Sequence, residues 1–487
     1  MSKKARNKAS DADKPAPRKR AALTDAKGMG GLNAQDGFDY QVWDALARLP
    51  AWLLNPAFEG VLVEGLEDVE ARFFSPYAAN HRFLDRFQSK SGELSRAELG
   101  DVVESFMQFE AAHPGAARVH TLVTPSLPST LRWIASDPAR VRKARPFYRP
   151  FPTVLGDSED KLRADLVAEF GKEMGNFFTS SVDVSLRNFP GKEAAFLLFA
   201  DLLEQAVPDP NRRPQATKAA FEALFALATT RRGSMLTRRD LVHALEVALG
   251  APLGLTSKLP LHVRSDQVSP EEHAIEIDAS RFCRGDLPVP PPKAWQEELL
   301  PPLAATAAWA KSLGRTRVTL SGQCRLSTAF AVGATFRSAD GFDIEVPVRP
   351  EIWATDAHPP AGASVRCTST EPAGLVAGRL IVAVGIIRDP TADVRKYHNL
   401  ASAADILLIH FPDPLTSAID AQLVAREVKG AVIRNKERLA ATEAEVFFVG
   451  PPVAAAAIAH RWNAVLPAQF YEFEKPAQAY RPSIRVA

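Results

Sequence analysis

The chain of 487 residues is longer than one hydrophobic core usually supports, so we expect two folded domains. A hydrophobic content of 46% can fill both cores, and the net charge of +2 excludes a uniformly basic or acidic protein. The sequence has neither an apolar run long enough to cross a bilayer nor the apolar segment of a secretory signal. Cys283, Cys324 and Cys367 are too few and too dispersed for a disulfide framework or a zinc cluster. These features predict a soluble protein of the reducing cytoplasm.

Residues 1–27 form a basic N-terminal segment, with nine Lys or Arg against three Asp. The segment lacks apolar periodicity and core-forming residues, so we expect a disordered tail. Such a tail either contacts nucleic acid or simply keeps the protein soluble, and the sequence favours neither role over the other.

The first predicted helix reads AQDGFDYQVWDALARL and follows the glycine-rich residues 28–31. Its apolar side chains recur at helical spacing and form one buried stripe of Phe38, Val42, Leu46 and Leu49. This helix opens the first predicted domain, residues 28–250.

Residues 61–105 give the clearest indication of an enzyme. They include VLVEGLEDVEARF, RFLDRFQSKSG and ELSRAELGDVVESF, which predict an apolar strand ending in acids, a second strand and a capped amphipathic helix. Asp68 directly follows the strand VLVEG, whereas Gln88 and Lys90 project from one face of the second strand because side chains alternate along it. We therefore expect an acid, an amide oxygen and a lysine to converge at one sheet edge.

Divalent-metal hydrolysis of a phosphodiester needs such a group, because oxygen ligands hold Mg²⁺ or Mn²⁺ and lysine steadies the developing charge. Asp68 is the predicted metal ligand, Glu64 a second ligand or a water-orienting group, and Gln41 a helix residue that reaches the same cluster. Simpler explanations remain for each. The acids can be solvated at a strand end, Gln41 can lie on a helix surface, and Gln88 and Lys90 can be the polar half of an alternating strand.

Between about residues 160 and 249 the pattern is mostly helical, and the last helix has Thr237 as its expected N-cap and Gly250 as its C-cap. After a break around residues 250–255, LPLHVR and HAIEIDAS read as strands and LPVPPPKAW as a proline-stiffened connection. The second predicted domain covers residues 258–487.

From residue 317 onward strands and helices alternate in an α/β manner. RVTLSGQCRLSTAFAVGATF and EVFFVGPPVAAAAIAHRW each predict a strand, a turn of small residues and a helix, which suggests two related lobes. Such turns expose backbone N–H groups that favour phosphate, and an arginine there can pair with a phosphate or a base edge. The candidate ligand-binding residues in the two turns are Ser321, Gly322, Arg325, Ser327, Gly450 and Pro451.

The alternative for both turns is that small residues only let helix and sheet pack closely. This alternative is strong for Pro451, which lacks an N–H donor. The aromatic residues near the C-terminus either stack on an adenine or, more commonly for such residues, fill the core or an interface. They are Phe470, Tyr471, Phe473 and Tyr480.

The segments GLNAQDGFDYQ, E-x-x-E-D and F-Q-S-K resemble the restriction-like endonuclease domains that precede a cyclic-oligonucleotide sensor in bacterial anti-phage systems. Those nucleases belong to the PD-(D/E)xK superfamily. The resemblance matches Asp68 to the central aspartate and Lys90 to the lysine, with Gln88 at the position usually held by Asp or Glu. This replacement removes one negative charge from the implied metal site.

The segments VTLSGQCRLSTAFAVGATF, VAVGIIRDPTADVRKY and VFFVGPPVAAAAIAHRWNAVLPAQFYEFEKPAQAY resemble the SAVED domain, a two-lobed Rossmann-like sensor. The full expectation is an α/β chain, in which a restriction-endonuclease-like domain with a helical extension precedes a SAVED domain. The combined resemblance implies a CBASS effector that cleaves double-stranded DNA. It also implies activation by a cyclic oligonucleotide, a cyclic trinucleotide or a related messenger, that a partner nucleotidyltransferase makes. Ligand-promoted homo-oligomers without membrane attachment are implied as well.

Three other classes fit parts of the sequence. A catalytically inert adaptor that binds DNA and nucleotide does not need Asp68 and Lys90, and a stand-alone restriction enzyme does not need a second α/β domain. A metabolic Rossmann enzyme is disfavoured because no G-x-G-x-x-G follows a strand and no nucleophile elbow is present.

Overall fold

The computed structural model describes residues 26–64, 68–78, 80–90, 92–148, 152–189, 191–255, 258–265, 273–283, 287–322 and 324–486. All but the last two residues of the predicted tail lie outside these ranges. The helices are α1 (Ala26–Leu54), α2 (Arg96–Ala112), α3 (Asp137–Tyr148), α4 (Pro152–Phe170), α5 (Lys172–Ser181), α6 (Lys192–Ala206), α7 (Pro214–Thr230), α8 (Arg238–Leu249), α9 (Ser280–Cys283), α10 (Pro292–Ala294), α11 (Leu300–Ser312), α12 (Leu326–Thr335), α13 (Thr391–His398), α14 (Ala418–Leu439) and α15 (Pro452–His460). Short 3₁₀ turns cover Ser129–Ala135 and Ser338–Asp340, and a π turn covers Trp295–Leu299.

The strands form three sheets. They are β1 (Phe58–Val63), β2 (Val69–Phe74), β3 (Arg82–Ser89), β4 (Ala117–Thr124), β5 (Val182–Leu186), β6 (Met235–Thr237), β7 (Lys258–Arg264), β8 (Ile275–Asp278), β9 (Arg317–Ser321), β10 (Asp343–Val348), β11 (Glu351–Ala354), β12 (Thr368–Thr370), β13 (Leu380–Ile386), β14 (Ile406–Phe411), β15 (Ala444–Val449), β16 (Ala468–Glu474) and β17 (Ala479–Val486). None of the helices in the described ranges is both long and apolar enough to cross a membrane.

The first sheet has the order β5-β4-β3-β2-β1-β6. Its strands β1, β2 and β3 run antiparallel in turn, whereas β3, β4 and β5 are parallel. Helix α1 packs on this sheet through its apolar stripe, as the sequence predicts: Phe38, Val42, Leu46 and Leu49 are buried. Because β2 runs opposite to its neighbours β1 and β3, and β4 and β5 run parallel to β3, strands β1, β3, β4 and β5 all end at the edge of the sheet where β2 begins.

Three features of this sheet differ from the sequence predictions. The stretch VLVEGLEDVEARF is two antiparallel strands, β1 and β2, rather than one, so Asp68 stands at the start of β2. Strand β4 was not predicted, although its last five residues are buried. Strand β5 interrupts the segment predicted as mostly helical, because the β-branched residues of VDVSL pair with β4.

The helical segment otherwise follows the prediction. Helix α8 begins at a capping box in which the Thr237 hydroxyl accepts a hydrogen bond from the N–H of Asp240, and it ends at Gly250 in the left-handed conformation. Helices α6 and α7 pack on α1 and β6 joins β1, so this helical extension belongs to the same body as the first sheet.

The second half contains two mainly parallel sheets, ordered β11-β10-β9-β7-β8 and β12-β14-β13-β15-β16-β17. Both predicted strand–turn–helix units are confirmed, as β9 with α12 and β15 with α15. The two helices pack directly on each other. A Cβ on Gly333 of α12 would lie 2.2 Å from the carbonyl oxygen of Ala456 on α15, so only glycine permits this contact. The result is the predicted two-lobed, Rossmann-like arrangement.

The two halves meet at the edge where β1 and β3 begin. Phe74 stacks on Trp309 with ring centroids 4.3 Å apart, and the Trp309 indole N–H donates to Glu59 at 3.0 Å. The N–H of Asp278 donates to the Tyr77 hydroxyl at 2.6 Å, which adds a contact from the end of β8. These contacts lie at the start of β1 and the end of β2, whereas Asp68 and Gln88 lie at the other end of the neighbouring strands. A strand of six residues spans about 20 Å, so the sensor half contacts the edge of the sheet opposite to Asp68 and Gln88.

Candidate functional site

The start of β2 and the end of β3 place Asp68, Gln88 and Lys90 at the same edge of the sheet. One carboxylate oxygen of Asp68 accepts a hydrogen bond from the N–H of Ser89 at 2.5 Å. The antiparallel register pairs Val69 with Phe87. Asp68, which precedes Val69, and Gln88, which follows Phe87, therefore lie opposite each other on adjacent strands. Lys90 continues the line of β3, and its N–H donates to the carbonyl oxygen of Val123 at 2.8 Å.

Gln41 of α1 comes to the same edge. Its neighbour Tyr40 donates from its hydroxyl to the carbonyl oxygen of Arg187, at 2.6 Å, immediately after β5 ends. The side-chain oxygens of both Gln41 and Gln88 are buried and find no hydrogen-bond partner among the described residues. A buried acceptor without a donor is costly, and it fits a position where a ligand or cation completes the site.

The structure gives Glu64 a partner that the sequence did not predict. Both of its carboxylate oxygens pair with the guanidinium of Arg232, and this hydrogen bonding raises the pKa of Arg232. The guanidinium also lies over the ring of Phe38, 4.3 Å from its centroid. The ion pair with Arg232 occupies both carboxylate oxygens, and the role of Glu64 as a second metal ligand or a water-orienting group stays a prediction.

The remaining residues are of the types that can ligate a hard divalent cation. The carboxylate of Asp68 and the amide oxygens of Gln88 and Gln41 are oxygen donors of the kind that Mg²⁺ prefers. No group of three or more His, Cys, Asp or Glu side chains suited to a metal is present among the described residues. A site with one carboxylate and two amides relies on phosphate oxygens of a substrate to complete it, as magnesium sites commonly do.

In the sensor half, the turn after β9 packs closely on β7. The Ser321 hydroxyl lies 3.0 Å from the Nδ1 of His262. Gly322 has φ +99°, and a Cβ there would lie 2.1 Å from the carbonyl oxygen of Val263, so both the conformation and the space require glycine. Arg325 is half-buried and donates to the carbonyl oxygen of Leu287 at 2.6 Å.

Ser327, a predicted ligand contact of this turn, already has partners within the protein. Its N–H donates to a carboxylate oxygen of Glu472 at 2.8 Å, and its hydroxyl lies 2.7 Å from the hydroxyl of Ser483. Burial raises the pKa of Glu472. The acceptor at the N-terminus of α12 is therefore a side chain of the opposite lobe, and Ser327 joins the two lobes.

The second turn is also built by packing. A Cβ on Gly450 would lie 2.7 Å from the ring of Phe448 and 2.9 Å from the side chain of Ile386. Pro451 is the N-cap residue of α15, and its carbonyl oxygen accepts from the N–H of Ala454 at 3.0 Å. These contacts support the close-packing explanation that the sequence left open.

The C-terminal aromatic residues belong mainly to the core. Phe470, Tyr471 and Tyr480 are buried, and Tyr471 stacks on Phe447 with ring centroids 4.4 Å apart.

The structure also brings together two cysteines that the sequence separates by 41 positions, since a hydrogen bond from Cys324 lowers the pKa of Cys283. No local pattern signals that pairing.

The comparisons with known proteins agree with this architecture. Residues 303–486 match the family described as SAVED: SMODS-associated and fused to various effectors sensor domain. The C-terminal half carries a SAVED domain. Curated relatives called CD-NTase-associated protein 4 are 24% identical in Acinetobacter sp. (strain ATCC 27244 / 9458) and 22% identical in Moraxella osloensis. Both alignments cover 93% of this chain and 97% of the relative, so the predicted likeness to this type of effector with a SAVED domain is confirmed.

Solved structures show the same fold. The Acinetobacter baumannii Cap4 SAVED/CARF-domain containing receptor with the cyclic trinucleotide 2'3'3'-cAAA has a TM-score of 0.76 at 20% identity, over 92% of this chain and 98% of that one. The corresponding receptor from Moraxella osloensis has a TM-score of 0.71 at 20% identity, over 93% and 100%. The similarity extends through both halves, so the first sheet with its helices and the SAVED lobes form one recurrent arrangement.

Proposed function

We propose that the chain is a metal-dependent DNA endonuclease that becomes active when its SAVED domain binds a cyclic oligonucleotide. The observation that carries this proposal is the meeting of Asp68, Gln88 and Lys90 at one sheet edge of a chain that also has a sensor domain. The natural context is CBASS anti-phage defence in the cytoplasm, where a partner nucleotidyltransferase makes the messenger.

Within this proposal each residue at the edge has a separate task. Asp68, oriented by the N–H of Ser89, would hold Mg²⁺ or Mn²⁺ together with the amide oxygens of Gln88 and Gln41. When bound, the cation polarises the phosphodiester and makes water a stronger nucleophile. Lys90 places its ammonium beside the scissile phosphate and stabilises the negative charge that develops there.

For the sensor we propose a cyclic trinucleotide ligand, because the relatives with this fold include receptors solved with 2'3'3'-cAAA and 3'3'3'-cAAA. Ser321, Gly322 and Arg325 remain proposed ligand contacts, since they follow the carboxyl end of the parallel strand β9, where ligands of α/β sheets usually bind. Gly450 and Pro451 then shape the corresponding turn of the second lobe by packing.

Activation by assembly is part of the same proposal. Two nuclease domains must meet to cut both strands of a duplex, so we propose that the ligand favours homo-oligomers. Such a gate needs a strong bias, because moving a population from about 1:99 to 99:1 takes roughly 5.5 kcal/mol. Oligomerisation supplies that bias by mass action.

The test is cleavage of supercoiled plasmid by the purified full-length chain, with Mg²⁺ and a panel of cyclic di- and trinucleotides. We expect cutting only with one class of ligand, a steeper than linear rise with protein concentration, and complete inhibition by EDTA. Full activity of a ligand-free monomer would remove the gating part of the proposal. Cleavage that resists EDTA would exclude a metal-dependent mechanism.

A further inference from the structure

A cavity of about 680 Å³ lies at the junction between the nuclease-like half and the SAVED half. The first sheet and the start of α8 form one side of it, and the segment that joins α11 to β9 forms the other. Five arginines line this junction pocket: Arg72, Arg82, Arg238, Arg239 and Arg315. The pocket is on the edge of the sheet opposite to Asp68 and is separate from the turns after β9 and β15.

The positive charges of the junction pocket are only partly balanced. Glu59 pairs with Arg82 at 2.8 Å, and Glu70 lies 3.7 Å from Arg72. Arg238 and Arg315, by contrast, have no carboxylate within ion-pair distance in the described part of the chain. Both are nearly buried, since only 7% of the surface of Arg238 and 3% of that of Arg315 are exposed. Burying a charge without a counter-charge is expensive, and here two such charges repel each other.

The groups that do contact these two arginines are neutral. Arg238 donates to the carbonyl oxygens of Leu53, Asn55 and Leu255, and Arg315 donates to that of Pro56 at 2.8 Å. Carbonyls at the end of α1 carry partial negative charge, which explains part of the arrangement. They do not neutralise two guanidinium groups. Burial and the neighbouring Arg315 lower the pKa of Arg238 to about 9, so it still carries its charge at neutral pH.

Two of the arginines that line the pocket also have donors that the described part of the chain does not use. The Nε atoms of Arg72 and Arg238 are buried and have no hydrogen-bond partner within the described ranges. Guanidinium groups are the donors best matched to phosphate, because their N–H groups bind two oxygens at once. Met235 and Leu313 add an apolar wall next to these donors.

We propose that the junction pocket binds a phosphate-bearing small molecule of nucleotide size. The volume lies within the range typical of ligand pockets. The five lining arginines, two of which have no counter-charge among the described residues, select an oxyanion, and the apolar wall accommodates its uncharged part. Because both halves contribute arginines, an occupant bridges them and stabilises their junction. This site is additional to the proposed messenger site, and its occupation does not depend on nuclease activity.

The experiment uses the full-length chain and adenosine monophosphate as the probe. Calorimetry at pH 7 and constant ionic strength measures its affinity, and thermal unfolding compares sodium phosphate with sodium chloride. We expect saturable binding of the nucleotide and a higher unfolding temperature in phosphate. Equal unfolding temperatures in the two salts together with no calorimetric binding would overturn the proposal.

Variants localise the site. Arg239→Gln removes an exposed pocket charge, and we expect it to weaken binding about tenfold, the loss typical of one charge-assisted hydrogen bond. Arg315→Gln should weaken it further, whereas Arg315→Lys, which keeps the charge, should lose less than Arg315→Gln. Arg140→Gln, a surface change on α3, is the matched control and should leave the affinity unchanged. Equal losses for Arg239→Gln and Arg140→Gln would contradict a specific pocket.

Two further measurements separate this proposal from its neighbours. Lys90→Ala should bind the nucleotide normally even if it cleaves no DNA, so failure of the nuclease proposal does not affect the result. A short duplex oligonucleotide added as competitor should not displace the nucleotide. Displacement by duplex together with weak nucleotide binding would assign the arginines to the DNA backbone and overturn the small-molecule proposal.

Discussion

The candidate catalytic edge and the turn after β9 are both rich in polar atoms, yet those atoms are used in opposite ways. At the catalytic edge the buried amide oxygens of Gln41 and Gln88 have no partner among the described residues. In the turn, the N–H and hydroxyl of Ser327 are both bonded to side chains of the opposite lobe. Because unsatisfied buried polar atoms are costly, the first pattern points to an external ligand and the second to architecture.

The largest effect should come from the catalytic edge. Lys90→Ala and Asp68→Asn should each lower plasmid cleavage by about a hundredfold or more, because each removes a charge that acts on the phosphate or holds the cation. The measurement is the initial rate with saturating cyclic ligand and Mg²⁺. Glu64→Gln is the matched control, since Glu64 pairs with Arg232, and it should keep most of the activity. Wild-type rates in both Lys90→Ala and Asp68→Asn would show that this edge is not the catalytic site.

The contact between the two lobes should be the next most sensitive. Gly333→Ala should lower the free energy of unfolding by about 1–3 kcal/mol, because a Cβ would lie 2.2 Å from the carbonyl oxygen of Ala456 and the helices must separate. Gly100→Ala on α2 is the control, since open space surrounds it and alanine favours a helix by up to about 1 kcal/mol. Denaturant unfolding checks both. Similar changes in the two variants would show that α12 and α15 do not pack closely at Gly333.

Arg325 tests whether the turn also contacts the messenger. Arg325→Ala should weaken binding of the activating cyclic trinucleotide about tenfold, through loss of one charge-assisted contact. Calorimetry on the full-length chain gives the affinity, and Arg337→Ala, at an exposed position beyond the end of α12, is the control. Unchanged affinity in Arg325→Ala would show that this arginine does not contact the messenger and that its role is the hydrogen bond to the carbonyl oxygen of Leu287.

The smallest expected effect concerns the pH dependence of stability. Burial raises the pKa of Glu472, so the folded state holds this proton more tightly than the unfolded state. The resulting stabilisation is complete below the usual glutamate pKa and is lost as the pH rises through the raised value. Glu472→Gln keeps the acceptor for the Ser327 N–H and should remove this contribution to the slope. Unfolding curves measured at several pH values for both proteins decide the point, and identical slopes would contradict it.

The sequence by itself determined the features that depend on neighbouring residues. The apolar stripe of α1, the caps at Thr237 and Gly250 and both strand–turn–helix units follow from periodicity and local backbone preference. Gln88 and Lys90 lie at the end of β3 as alternation predicts, whereas Asp68 reaches the same edge at the start of β2, a separate strand that the sequence did not predict. The catalytic roles of the three residues stay predictions.

Tertiary structure alone decided which distant side chains meet. Glu64 pairs with Arg232, 168 positions away, and Ser327 binds Glu472, 145 positions away, so both residues have partners that their local motifs do not predict. The arginines of the junction pocket come from separate elements of both halves, and no window of the sequence contains them together. A hydrogen bond or charge interaction depends on distances of a few ångströms, and these are set by how the sheets and helices pack rather than by spacing along the chain.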